Sequence, residues 1–78
     1  MGLFKPNVEK MKAQGDVEGL VKALKHKDYL VAAEAAKALG VIRDARAVEP
    51  LMQAREDKDS GVRKAAKESL EKLEAKRS

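Results

Sequence analysis

A chain of 78 residues, 38% charged, 44% apolar and 3% aromatic, is long enough for one small domain and too apolar for a disordered charged tail. It has no cysteine, which excludes disulfides and thiolate chemistry, and its net charge of +4 arises from 17 basic and 13 acidic residues intermixed. No stretch approaches the roughly 18 apolar residues of a membrane span; the longest unbroken apolar run is Tyr29 to Ala33.

Residues 1–5 read as an apolar lead-in around Leu3 and Phe4. No basic region followed by an apolar stretch and a cleavage site is visible there. Met1-Gly2 resembles a myristoylation start, but Pro6 stands where Ser or Thr is required. A soluble cytoplasmic protein is the expectation. Asn7 to Gln14 reads as a short helix with Val8 and Met11 three apart, ended by Gly15. Asp16 caps a second helix over 17–25, with Val17, Leu20, Val21 and Leu24 on one face. Asp28 caps a third over 29–42, whose core stripe is Val31, Ala35, Ala38, Leu39 and Ile42. Asp44 starts a fourth over 45–55, with Val48, Leu51 and Met52 facing in. Pro50 lies inside that helix and cannot donate to the carbonyl of Arg46, so either its first turn is loose or the helix bends. Asp59 caps a fifth over 60–76, with Val62, Ala66, Leu70 and Leu73 facing in. The composition, rich in Ala, Leu, Glu and Lys, favours helix throughout; abundant Lys and Glu without Cys is also a thermophile-like tendency.

The chain matches itself at an offset of 31 residues. Laying 16–46 on 47–77 gives ten identities, among them Leu20/Leu51, Lys27/Lys58, Asp28/Asp59, Val31/Val62, Ala35/Ala66 and Leu39/Leu70. A fixed period of this length marks a repeat architecture. The unit is helix–turn–helix, twice, with an extra helix in front. The segment Asp28-Tyr-Leu-Val31, Ala35-Ala36-Lys-Ala38-Leu39-Gly40-Val-Ile42, Asp44-Ala-Arg46-Ala47-Val48-Glu49-Pro50-Leu51 resembles a HEAT-like repeat of the short phycobilisome-lyase type, and the second copy resumes with Asp59, Val62, Arg63, Ala66, Leu70 and Leu73. Ala32 departs from the family's preference for Arg after the Val, and the second copy reads Ser69-Leu70-Glu71 in place of Ala-Leu-Gly. The resemblance implies an all-α, short α-solenoid. Its single domain spans 1–78, with a lead-in and capping helix over 1–15 and repeats over 16–46 and 47–77.

In such repeats the first helix of each pair lines the convex side and the second the concave side. The inner layer would then be helices 7–14, 29–42 and 60–76. The middle one is apolar over most of its circumference, with Leu30 and Val41 on one flank and Ala32 and Ala36 on the other, so burial is expected. Helix 60–76 carries an outer face of Lys64, Lys67, Glu68, Glu71, Lys72 and Glu74, expected to pair as Lys64–Glu68 and Lys67–Glu71 and to cap the stack. Polar faces at both ends point to a monomer or at most a weak dimer.

The sequence offers little chemistry. His26, the only histidine, lies in a turn between Lys25 and Lys27. The hydroxyls are Ser60, Ser69, Ser78 and Tyr29, none in a nucleophile-elbow context. Asp57-Lys-Asp59-Ser-Gly61 has its glycine one residue early for a calcium loop and is better read as a helix cap. Lyases built of these repeats are larger chains. No catalytic residue, metal ligand or cofactor site is expected. What remains is a surface: a non-enzymatic scaffold binding a protein or peptide on the concave face through Tyr29, Ala33, Lys37, Lys64 and Glu68, with Gly40 also opposite the core. The alternative is weak nucleic-acid binding by the two ends, where residues 1–27 and 63–78 each carry six bases against three acids. The lack of interleaved aromatics makes that the less favoured partner.

Overall fold

Four of the five α-helices described begin where a short polar side chain accepts a first-turn amide; the fourth in chain order has no side-chain cap of its own. The computed structural model describes residues 7–77, with side chains through Glu74; the lead-in around Leu3 and Phe4 lies outside the described residues. Helix α1 spans Val8–Gln14 and is capped by Asn7, whose Oδ1 accepts from the amide of Lys10 at 3.0 Å. Helix α2 spans Val17–Leu24, with Asp16 Oδ1 accepting from Gly19 at 2.9 Å. Helix α3 spans Tyr29–Ile42, with Asp28 Oδ1 accepting from Leu30 at 2.9 Å. Helix α4 spans Val48–Ala54 and α5 spans Ser60–Arg77, the latter capped by Asp59 Oδ2 on the amide of Val62 at 3.0 Å. The acceptors satisfy amides that lack intrahelical partners and oppose the positive helix end.

The fourth element shows how Pro50 is accommodated. It opens as a 3-10 turn over Ala45–Ala47 and becomes α-helical only at Val48. Pro50 thus falls in the first turn of α4, where amides lack a helical partner in any case. The first of the two expected outcomes, a loose first turn, is the one observed. Helix α1 ends on Gly15 at φ 68° and α3 ends on Arg43 at φ 60°, the only described non-glycine residue with positive φ.

Helices α2 and α3 pack as one hairpin, and α4 and α5 as the next, with α1 in front against α2 and α3. The α3–α5 contact is the most extensive in the chain, so α1, α3 and α5 form one layer and α2 and α4 the other. Leu20, Leu39, Leu51 and Val62 are the largest fully buried side chains. Alanines supply about half of the buried apolar positions, including Ala32, Ala35, Ala36, Ala65 and Ala66, which lets helix backbones approach closely. The described residues contain no strand, and none of their helices is long and apolar enough to cross a membrane.

Several sequence expectations need correction. Met52 is 44% exposed, because the inward arc of α4 is filled by Leu51 and Ala54. Gly40 does not face away from the core: it is buried against Ser69 of α5. The two flanks of α3 fare differently. Ala32 and Ala36 are buried, but Leu30 and Val41 are 60% and 57% exposed. Helix α1, 7 residues against the 14 of α3, forms a cleft with Glu34, Lys37, Ala38 and Val41 that does not include Leu30, and Val41 remains open within that cleft. Among the described residues ion pairs join Lys12 to Glu9 at 3.6 Å and Arg46 to Asp44 at 2.9 Å. The anticipated Lys64–Glu68 and Lys67–Glu71 pairs are not among them; those side chains are exposed, where such pairs contribute little.

Candidate binding surface

The two turns that launch α3 and α5 carry the same dipeptide, Lys27-Asp28 and Lys58-Asp59, because they are equivalent points of the repeat. Between them lies a groove of about 450 Å³ whose lining includes Lys25, Lys27, Tyr29, Asp57, Lys58 and Asp59. Tyr29, the first residue of α3, stands there 56% exposed. The carboxylates of this groove are engaged locally. Asp57 Oδ1 accepts from the amide of Asp59 at 2.8 Å, and Asp59 caps Val62. Lys25, Lys27 and Lys58 form no ion pair among the described residues. The groove thus presents an aromatic face beside ammonium groups, while its acids point at backbone amides.

His26 contributes to the shape of this groove. Its Nδ1 accepts from the amide of Asp28 at 3.0 Å, which places the ring proton on Nε2 and steadies the turn before Tyr29. The ring is half-buried rather than simply solvated.

The other residues expected on the concave face are dispersed. Ala33 is half-buried and packs against the core. Lys37 lies on a separate cleft of about 210 Å³ between α1 and α3, with Glu9, Lys12, Glu34 and Val41. Lys64 lines a third groove, of about 450 Å³, with Arg55, Glu56, Ser60, Arg63 and Lys67. Glu68 is exposed on α5 and lines none of these three. Tyr29, Lys37 and Lys64 therefore mark three grooves rather than one.

The third groove gathers cations that the sequence kept apart. Arg55 follows the end of α4, and Arg63, Lys64 and Lys67 lie on the first turns of α5, with Glu56 as the single acid in the lining. Arg63 is held in place: its Nη1 donates to the carbonyls of Asp57 at 2.8 Å and Lys58 at 2.9 Å. The i, i+4 spacing of Arg63 and Lys67 was a visible signal; the approach of Arg55 depends on the course of the turn at 55–59.

On the opposite layer, Arg46 grips Asp44 with two side-chain bonds, Nε to Oδ1 at 3.1 Å and Nη2 to Oδ2 at 2.9 Å. Those bonds, the charge of Asp44 and, after them, that of Glu18 raise the pKa of the Arg46 guanidinium above its ordinary value. It is a structural clamp on the 3-10 turn. Among the hydroxyls, Ser69 is buried and donates to the carbonyl of Ala36 at 2.6 Å, which makes it a packing contact and not a nucleophile. No group of three or more His, Asp or Glu among the described residues is placed to hold a metal ion.

A family model described as HEAT repeats matches residues 17–78 of the chain. A comparison with curated proteins returned no match.

Proposed function

Because the chain belongs to the HEAT-repeat family, we propose that it is a small non-enzymatic scaffold that binds a protein partner through the Tyr29 groove. The observation that carries this reading is Tyr29 itself, exposed at a groove that both repeats line. An aromatic ring supplies large contact area at low conformational cost, and such residues dominate interface energetics. The ammonium groups of Lys25, Lys27 and Lys58 favour a partner segment that places acidic side chains beside an apolar anchor. Lys37, Lys64 and Glu68 belong to the rim of the same layer and tune encounter more than residence, while Ala33 packs beneath that surface. The protein acts in the cytoplasm as a monomer or weak dimer.

Affinity capture from a host lysate tests this, with the wild-type chain and Tyr29→Ala as paired baits. A protein retained by the wild type and lost with Tyr29→Ala is the expected result. Equal retention by both baits removes Tyr29 from the site.

The basic groove of Arg55, Arg63, Lys64 and Lys67 favours a second reading, binding of a nucleic-acid backbone at the C-terminal end of the stack. Against it, Tyr29, the one aromatic side chain among the described residues, lines another groove and is not placed to stack on bases held there.

A further inference from the structure

The front flank of α3 carries an unpartnered stripe with internal symmetry. Leu30, Glu34, Lys37 and Val41 are spaced four, three and four residues apart, the register of a coiled-coil seam. All four are exposed, and α1 lines an open cleft with Glu34, Lys37 and Val41 through Val8, Glu9 and Lys12, while Leu30 lies outside that cleft. The charges of α1 pair with each other, Lys12 to Glu9 at 3.6 Å, and Glu34 and Lys37 form no ion pair among the described residues.

The stripe is a palindrome in chemistry. Leu30 and Val41 are equidistant from the midpoint between Ala35 and Ala36, and so are Glu34 and Lys37. A twofold axis through that midpoint, perpendicular to α3, lays Leu30 on Val41 of a second copy and Glu34 on Lys37 of that copy. Both contacts then occur twice, apolar at the ends and oppositely charged in the middle. The repeat itself does not require this pattern. At the equivalent positions of α5 stand Gly61, Ala65, Glu68 and Lys72, so the large apolar pair is peculiar to α3.

We propose that the exposed face of α3 pairs antiparallel with the same face of a second copy of this chain, through Leu30–Val41 and Glu34–Lys37 contacts. The area fixes the strength. A single helix pair of this length buries well below the roughly 1,200 Å² of stable complexes, so the dimer is weak, with Kd on the order of 10⁻⁴–10⁻³ M. The seam uses Lys37 but leaves the Tyr29 groove open, and it stands or falls independently of any partner there.

The test uses the full chain with charge exchanges on the seam. Sedimentation equilibrium from micromolar to millimolar concentration should show weak dimerisation, and backbone amide shifts that move with concentration should cluster at residues 30–41. Glu34→Lys sets two ammonium groups of each copy against two of the other, and Lys37→Glu does the same with carboxylates. Each variant alone should associate about tenfold more weakly than wild type or worse. An equimolar mixture of the two restores both opposite-charge contacts and should recover association to within a few-fold of wild type. That recovery cannot come from altered folding of either variant, and Leu30→Asp should abolish association. A wild-type chain that stays monomeric at millimolar concentration overturns the proposal. So does a mixture no tighter than its components, or concentration-dependent shifts confined to other helices.

Discussion

Gly40 on α3 faces Ser69 on α5 so closely that a methyl group at Gly40 would overlap the Ser69 hydroxyl and come within 3.0 Å of its Cα. The same hydroxyl donates to the Ala36 carbonyl one helical turn earlier, at 2.6 Å. The two helices are therefore locked at a separation that only glycine permits. Gly40→Ala should destabilise the fold by about 1–3 kcal/mol, the usual range for overpacking. This outweighs the roughly 1 kcal/mol that alanine gains over glycine inside a helix. Denaturant unfolding that finds the variant equal to or more stable than wild type would show that α3 and α5 can part freely.

Leu39 and Met52 make an opposed pair. Leu39 is fully buried and Met52 is largely open to solvent. Leu39→Ala should cost about 2–5 kcal/mol through lost burial and a residual cavity. Met52→Ala should change stability by less than about 0.5 kcal/mol, as an ordinary surface substitution does. A loss below about 1 kcal/mol at Leu39 would place that residue outside the core.

Much of the architecture was legible in local chemistry. Asp28 and the apolar spacing from Val31 gave α3 its limits at Tyr29 and Ile42, and Asp16 and Asp59 did the same for the starts of α2 and α5. The misplacements on α3 have a common root. Tyr29 and Gly40 lie at nearly the same angle around α3, about 160–180° from Val31 by helical geometry, yet one is exposed and the other buried. A helical wheel gives the angle of a side chain but not where along the helix a neighbour lies. Helix α5 covers the flank at Gly40 and leaves Tyr29 open. Leu30 stayed exposed for the same reason: the cleft that α1 forms with α3 runs from Glu34 to Val41 and does not include it. The bond from Ser69 to Ala36 spans 33 residues of sequence and follows only from the packed tertiary structure. The binding grooves were the least legible, because each is lined by residues of two or more elements whose approach is set by the turns.

Arg43 carries a removable strain. It ends α3 in the left-handed region at φ 60°, with its amide bonded to the Leu39 carbonyl at 3.1 Å. A side chain there costs about 1–2 kcal/mol relative to the right-handed region, and glycine escapes that cost. Glycine also gains freedom in the unfolded chain, which offsets part of the benefit. Arg43→Gly should therefore raise stability by about 0.5–1 kcal/mol in thermal or denaturant unfolding. A loss of stability would mean that the arginine side chain makes a contact worth more than the strain.

The basic groove and the Tyr29 groove give opposite signatures, which separates the two functional readings. Arg55, Arg63, Lys64 and Lys67 can neutralise at most four phosphates of a duplex held in that groove. The slope of log affinity against log salt should then be no steeper than about −3.6, from roughly 0.9 per phosphate. Between 50 and 200 mM salt, a fourfold change, affinity should fall by no more than about 150-fold. Binding near physiological salt should be weak, on the order of 10⁻⁴ M, as for non-specific contact. Lys64→Glu should weaken it further, and Tyr29→Ala should leave it unchanged, because Tyr29 lines a different groove. A protein partner seated on Tyr29 should show the reverse: a large loss with Tyr29→Ala, carried by faster dissociation, and a modest change in association rate with Lys37→Glu. Fluorescence anisotropy with a short duplex across a salt series measures the first set, and surface-based kinetics with the captured partner measures the second. Submicromolar binding to a defined nucleic acid, abolished by Lys64→Glu and indifferent to Tyr29→Ala, would replace the scaffold reading with a phosphate-binding one. The four cations between the end of α4 and the first turns of α5 would then be the functional surface of the molecule.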